Sequence, residues 1–96
     1  MGLLGGINMK VHKLKIKEEY FNEVKEGRKT FEIRKNDRDY KVGDVVILTK
    51  VDNEGFLTRE VLVGTITYLL KNCPQYGLEC GYCIFSLKIN KINGGC

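Results

Sequence analysis

The sequence predicts a small, mostly β domain carrying one helix, an α+β chain whose strands curl into a barrel. Three observations predict it. Val11–Lys17 alternates apolar and polar residues with period two, the mark of a half-buried strand. The period becomes helical once, over Glu18–Glu26, and returns to strand patterning afterwards. Phe56–Leu70 is long for one strand and is interrupted by Gly64, the expected bulge or bend where a strand crosses from one side of a barrel to the other. The resulting order β-α-β-β-β-β, with short connections, suits a small barrel.

In Val11–Lys17, His12, Leu14 and Ile16 share one face and Lys13, Lys15 and Lys17 the other. His12 leans to the core side, either as a hydrogen-bonded core histidine or as a pocket histidine at the mouth of the sheet. The lysine row is either a solvated face or one wall of an anion site. In the helix, Tyr20, Phe21 and Val24 cluster on one side, and Glu18 and Glu19 suit the positive end of the helix dipole. Gly27 is the expected left-handed stop. Asn36-Asp37-Arg38-Asp39 and Val42-Gly43-Asp44 are turn chemistry. A strand follows over Val45–Val51, and Asp52–Gly55 is a hairpin tip. Lys71–Glu79 holds Pro74 and reads as a loop, and Gly81–Asn90 is the last strand. Residues 10–91 are expected to be one domain, after a flexible leader over 1–9 and before a frayed tail over 92–96.

Sixteen basic and twelve acidic residues give a formal net charge of +4, spread along the chain. Nucleic acid is compatible with that balance without being demanded by it. No apolar run approaches the ~18 residues of a membrane helix, so no membrane partner is expected. Met1–Met9 has neither a basic start nor a cleavage pattern, and Gly6 breaks the myristoylation pattern. The cytoplasm is the expected location. Four cysteines, Cys73, Cys80, Cys83 and Cys96, all fall in the last quarter. They form one close pair and two stragglers, short of the two close pairs that signal zinc, so no metal and no cofactor is expected.

The chemistry concentrates in Gly27–Lys35, where alternation predicts a strand with Phe31 and Ile33 directed into the core. Thr30, Glu32 and Arg34 would then form a polar row that can donate, accept and pair with anions. Lys29 enters this strand, and Asn36-Asp37-Arg38-Asp39 leaves it. The expected ligand-binding set is Lys15, Lys29, Thr30, Glu32, Arg34 and Arg38. Tyr40 is placed at the core or rim, with base stacking as its other use.

His12-x-Leu14-Lys15-Ile16, Tyr20-Phe21-x-x-Val24-x-x-Gly27-x-Lys29-x-Phe31-Glu32-Ile33-Arg34, Asn36-Asp37-Arg38 and Val42-Gly43-Asp44 follow one another, with Ile66-Thr67-Tyr68 and Gly81-Tyr82 later. Together they resemble an uncharacterised bacterial and phage family of ASCH-like domains in the PUA-like superfamily, over roughly 11–90. The resemblance implies a small PUA-like pseudobarrel and a cleft for RNA or a modified nucleoside. RNA or a nucleotide is thus the expected partner, bound in a cleft around Lys29–Arg34. The resemblance also offers an enzymatic alternative, a small amidohydrolase acting on acetylated cytidine through a Lys, a Thr and a Glu. Laid over this chain, the family lysine falls on Lys29, but the nucleophilic threonine falls on Glu32, and the family glutamate has no placed counterpart. In that alternative Lys29 would be the base, and Glu32 would activate water. A third possibility is a non-catalytic protein-interaction domain in which Glu32 and Arg34 simply pair.

Overall fold

The computed structural model describes residues 9–93, the last three as strand backbone only. Residues 1–8 and 94–96, Cys96 included, on which most of the expected leader and tail fall, lie outside the described residues. The chain runs β1 (Val11–Lys17), α1 (Glu18–Lys25), β2 (Phe31–Lys35), β3 (Val45–Val51), β4 (Leu57–Lys71), a single 3₁₀ turn (Pro74–Tyr76) and β5 (Tyr82–Asn93). The strands form one sheet in the order β1-β3-β4-β5-β2, curled into a half-barrel. β1 and β3 are parallel and every other neighbouring pair is antiparallel. β1 and β2 are the two free edges.

The curl is made by β4. Leu57 to Thr65 pair with β3 and Val61 to Lys71 with β5, so the middle of the strand is paired on both sides, and the β4–β5 register slips between Val63 and Gly64 and again between Ile66 and Tyr68. Such slips bend a strand and increase its twist. Gly64 sits in the bend because its neighbours leave no space. A Cβ there would stand 3.0 Å from the Lys88 carbonyl oxygen and 3.2 Å from Ile89 Cδ1. The predicted bend is therefore present, and its cause is close backbone approach.

Inside the curl lie Val46, Leu48, Leu62, Ile66 and Phe85, none more than 1% exposed. Helix α1 packs on β1 and β3 through Phe21 and Val24. A helix of eight residues does not hold itself in water, so burial of those two side chains, about 1.5–3 kcal/mol each, maintains it. Tyr20, expected on the same apolar side, is instead 45% exposed. The sheet covers only the Phe21–Val24 side, and Tyr20 is left on the flank. Gly27 ends the helical segment with φ +81°, as expected.

The larger correction concerns β2. It begins at Phe31, so Gly27–Thr30 is a turn, and its sides are reversed from expectation. Glu32 is 3% exposed, whereas Phe31 and Ile33 are 42% and 54% exposed. The register explains the reversal. Glu32 stands opposite Phe85 and Arg34 opposite Cys83, and opposed residues share a face of the sheet. Phe85 and Cys83 are fully buried, so Glu32 and Arg34 face inward with them.

His12 is a core histidine. Its Nε2 donates to Asp44 Oδ2 at 2.8 Å, and its ring lies 4.7 Å from that of Tyr40. Asp44 also accepts from the backbone N–H groups of Lys10 and Lys41, each at 3.0 Å, tying the start of β1 to the start of β3. Burial pushes the Asp44 carboxyl up, but the bonds from His12, Lys10 and Lys41 outweigh it and hold the carboxyl below the usual carboxylate range.

Two outcomes follow. Gly64→Ala should lower unfolding stability by about 1–3 kcal/mol, read from the denaturant midpoint, because the backbone of β5 blocks the added methyl. Asp44, with its folded value below the unfolded one near ~3.9, contributes stability that is complete above the unfolded value and is lost as pH falls through the folded one. Urea midpoints measured down through that range should fall more steeply for the wild type than for Asp44→Asn, which starts lower.

Candidate functional site

Because the half-barrel does not close, β1 and β2 face each other across a seam with no β1–β2 backbone pairing. Leu87 N–H bonds the Thr30 carbonyl and Asn36 N–H bonds the Gly81 carbonyl, so the even-numbered residues of β2 are tied to β5. The backbone groups of Phe31 and Ile33 therefore point to the open edge. Side chains bridge the seam. Arg34 Nη2 donates to the Lys15 carbonyl at 2.9 Å, and Arg38 Nη1 donates to the Lys13 carbonyl at 3.1 Å. Lys29 Nζ covers the Phe31 carbonyl at 2.7 Å. These cationic groups satisfy edge acceptors that no strand pairs.

At the centre is Glu32. Arg34 donates to its Oε1 twice, from Nε at 3.0 Å and from Nη2 at 2.9 Å, and Lys29 Nζ donates to its Oε2. A carboxylate has about four acceptor positions, and three N–H donors fill three of them. Oε1 is saturated and Oε2 keeps one position. Lys29 spends two of its three ammonium hydrogens, on Glu32 and on the Phe31 carbonyl, and keeps one.

A cleft of about 510 Å³ opens over this cluster, lined by Glu32, Lys29 and Arg34, by Lys15, Ile16 and Lys17 of β1, and by Tyr20, Phe31 and Ile33. Its volume lies within the ~300–1,000 Å³ of small-molecule sites. Four cationic side chains against one carboxylate leave a net +3 in its lining. The Lys29 ammonium stands 5.0 Å from the Phe31 ring centre and 5.8 Å from that of Tyr20, within cation–π range of both.

The structure thus brings together four of the expected residues, Lys15, Lys29, Glu32 and Arg34. Thr30 is exposed and does not line the cleft. It lies before the strand begins, and its carbonyl is engaged by Leu87. Arg38 lies farther along the seam, in a smaller adjoining hollow shared with Arg34, Lys35 and Tyr40. Tyr40 is core, 2% exposed and packed 4.8 Å from Phe85, and burial pushes its phenol up against the opposing charges of Arg38 and Arg34. The residues missed from sequence are Tyr20, Phe31 and Ile33, the apolar walls. For Phe31 and Ile33 the signal is the same alternation assigned to the opposite side, and for Tyr20 it is the helical period.

Cys73 and Cys83 are buried and Cys80 is exposed. Among the described residues, no three His, Cys, Asp or Glu side chains group so as to hold a metal ion. No helix among them is long and apolar enough to cross a membrane.

Fold and site define a small half-barrel protein with a cation-walled cleft at its open seam. The chain belongs to the family described as a domain of unknown function (DUF3850), whose model matches residues 11–87. It is also similar to a protein of Escherichia phage P2 described as an uncharacterized 12.9 kDa protein in the GpA 3′ region, with 42% identity over 52 residues. That match covers 54% of this chain and 48% of the phage protein, so the chain spans about half the length of this curated relative.

Removing the central carboxylate should be costly. Glu32→Ala leaves Lys29 and Arg34 with like charges at the seam and should destabilise by about 1.5–3 kcal/mol. Lys29→Met with Glu32 intact should cost less, since Arg34 still pairs the carboxylate. Equilibrium denaturation of the two variants checks the order.

Proposed function

We propose that the cleft binds a nucleotide or RNA, and that the half-barrel is a small pseudobarrel of the ASCH-like, PUA-like kind. The carrying observation is the Glu32 carboxylate, buried at the cleft floor, with Oε1 filled and one acceptor position left on Oε2. A locked carboxylate with one open position suits a base amino group, which donates. The surrounding net positive charge suits a phosphate, and Tyr20 and Phe31 offer faces to a base. Lys15 and Lys17, both exposed, supply the phosphate attraction. Arg34 is largely committed to Glu32 and β1, so it positions the carboxylate more than it reaches the ligand.

The amidohydrolase alternative finds less support. Lys29 and Glu32 do meet, but no Ser or Thr lines the cleft. Hydrolysis would have to proceed through a water activated by Glu32, whose open position is a single one.

Titration of the protein with cytidine 5′-monophosphate and with a short cytidine-rich RNA tests the proposal. Binding should weaken as salt rises. Arg34→Ala should weaken it by about 1.5–3 kcal/mol through loss of the charge-assisted contacts that hold Glu32. Glu32→Gln should change the preference between amino-bearing and carbonyl-bearing bases. Absence of binding by either ligand would overturn the proposal. Loss of the acetyl group from N4-acetylcytidine, followed by chromatography and abolished by Lys29→Ala, would replace it with the enzyme.

A further inference from the structure

The cleft lies between two strands whose outward banks differ in chemistry. One bank is β1, where Lys13, Lys15 and Lys17 are all exposed and, two residues apart along a strand, recur about every 6.6 Å. The other bank is β2, where Phe31, Ile33 and Lys35 are exposed on the outward side. The floor is Lys29, Glu32 and Arg34, and Arg34 also lines a second, smaller hollow with Leu14, Lys35, Asp37, Arg38 and Tyr40. A basic bank facing an apolar, aromatic bank matches a polymer with charge along one side and flat apolar faces along the other.

We infer that the seam is a track for single-stranded nucleic acid, with successive phosphates along Lys13, Lys15 and Lys17 and bases laid toward Phe31 and Ile33. This rests on the nucleotide reading of the cleft and extends it from one nucleotide to about three. The lysine repeat is of the same order as the step between phosphates in an extended strand. A duplex does not suit the groove, because its bases are paired and stacked on each other, leaving none to lie on the apolar bank. An added peptide strand does not suit it either. Strand addition needs unpaired edge carbonyls, and those of Lys13, Lys15 and Phe31 are already taken by Arg38, Arg34 and Lys29.

Fluorescence anisotropy with cytidine 5′-monophosphate and with oligocytidylates of two, four and eight nucleotides, each across a range of salt, tests the track. Affinity should rise with length as far as four nucleotides and then level. At four, log K should fall with log salt at a slope of about −2, the value for roughly three phosphates on a single strand. Lys13→Ala, an exposed residue whose loss leaves the fold intact, should reduce that slope by about 0.7. If the monophosphate binds as tightly as the longer oligomers, the track is wrong and the nucleotide cleft stands. Equal affinity for a blunt duplex of the same length would also overturn the track. If neither the monophosphate nor any oligomer binds, both readings fall.

Discussion

The structure depends on how an open half-barrel satisfies the edges of its sheet. Five strands curl into a half-barrel and leave β1 and β2 as its two edges, unpaired with each other. An exposed strand edge is a liability, inviting other chains to pair with it. Here the edge acceptors are covered by long cationic side chains: Arg34 and Arg38 on β1, and Lys29 on β2. Bringing two of those cations to one place requires a counter-charge, which Glu32 supplies from the inner face of β2. The carboxylate is thus a structural necessity before it is a functional one.

The same arrangement yields a site. A buried carboxylate with two fixed cationic partners is pre-organised, so the acceptor position it offers has no freedom left to lose. The apolar residues displaced from the core, Phe31 and Ile33, become walls instead of ballast. The lysines of β1, whose side chains play no part in the core, complete the opposite wall.

Much of this was legible in the residues. β1 reads cleanly because it alternates over seven residues, which puts His12 on the core side, and β3 is a mostly apolar run opened by the Val42-Gly43-Asp44 turn. Gly64 stands out because it breaks the alternation of a long strand, the mark of a bulge or bend, and the structure adds the close approach of the Lys88 carbonyl. Lys29, Glu32 and Arg34 were singled out by their density of charge. What alternation does not carry is a sign: it says that two sides differ, not which is inside. Hydrophobicity assigned Phe31 and Ile33 inward, as for a strand with a packed partner on that side. β2 instead lies at the seam, where the inner neighbours are unpaired carbonyls of β1, and polar donors gain more there than methyl groups. Tyr20 was misplaced for a related reason, since a helix of eight residues on a curved sheet buries a narrow stripe.

The order of the strands has a consequence in time. β2 takes its only backbone pairing from β5, the last strand in the chain, some fifty residues downstream. Every residue lining the cleft lies before Lys35, yet Phe31, Glu32, Ile33 and Arg34 gain their strand partner only when β5 arrives, with Phe85 opposite Glu32. Contacts of such long separation form late, because the loop entropy is lost before the contact rewards it. During synthesis, the half of the protein that carries the cleft therefore waits unfinished, its charged strand unpaired, until the final strand emerges to dock it. Completion of the cleft wall on the β2 side therefore waits for β5.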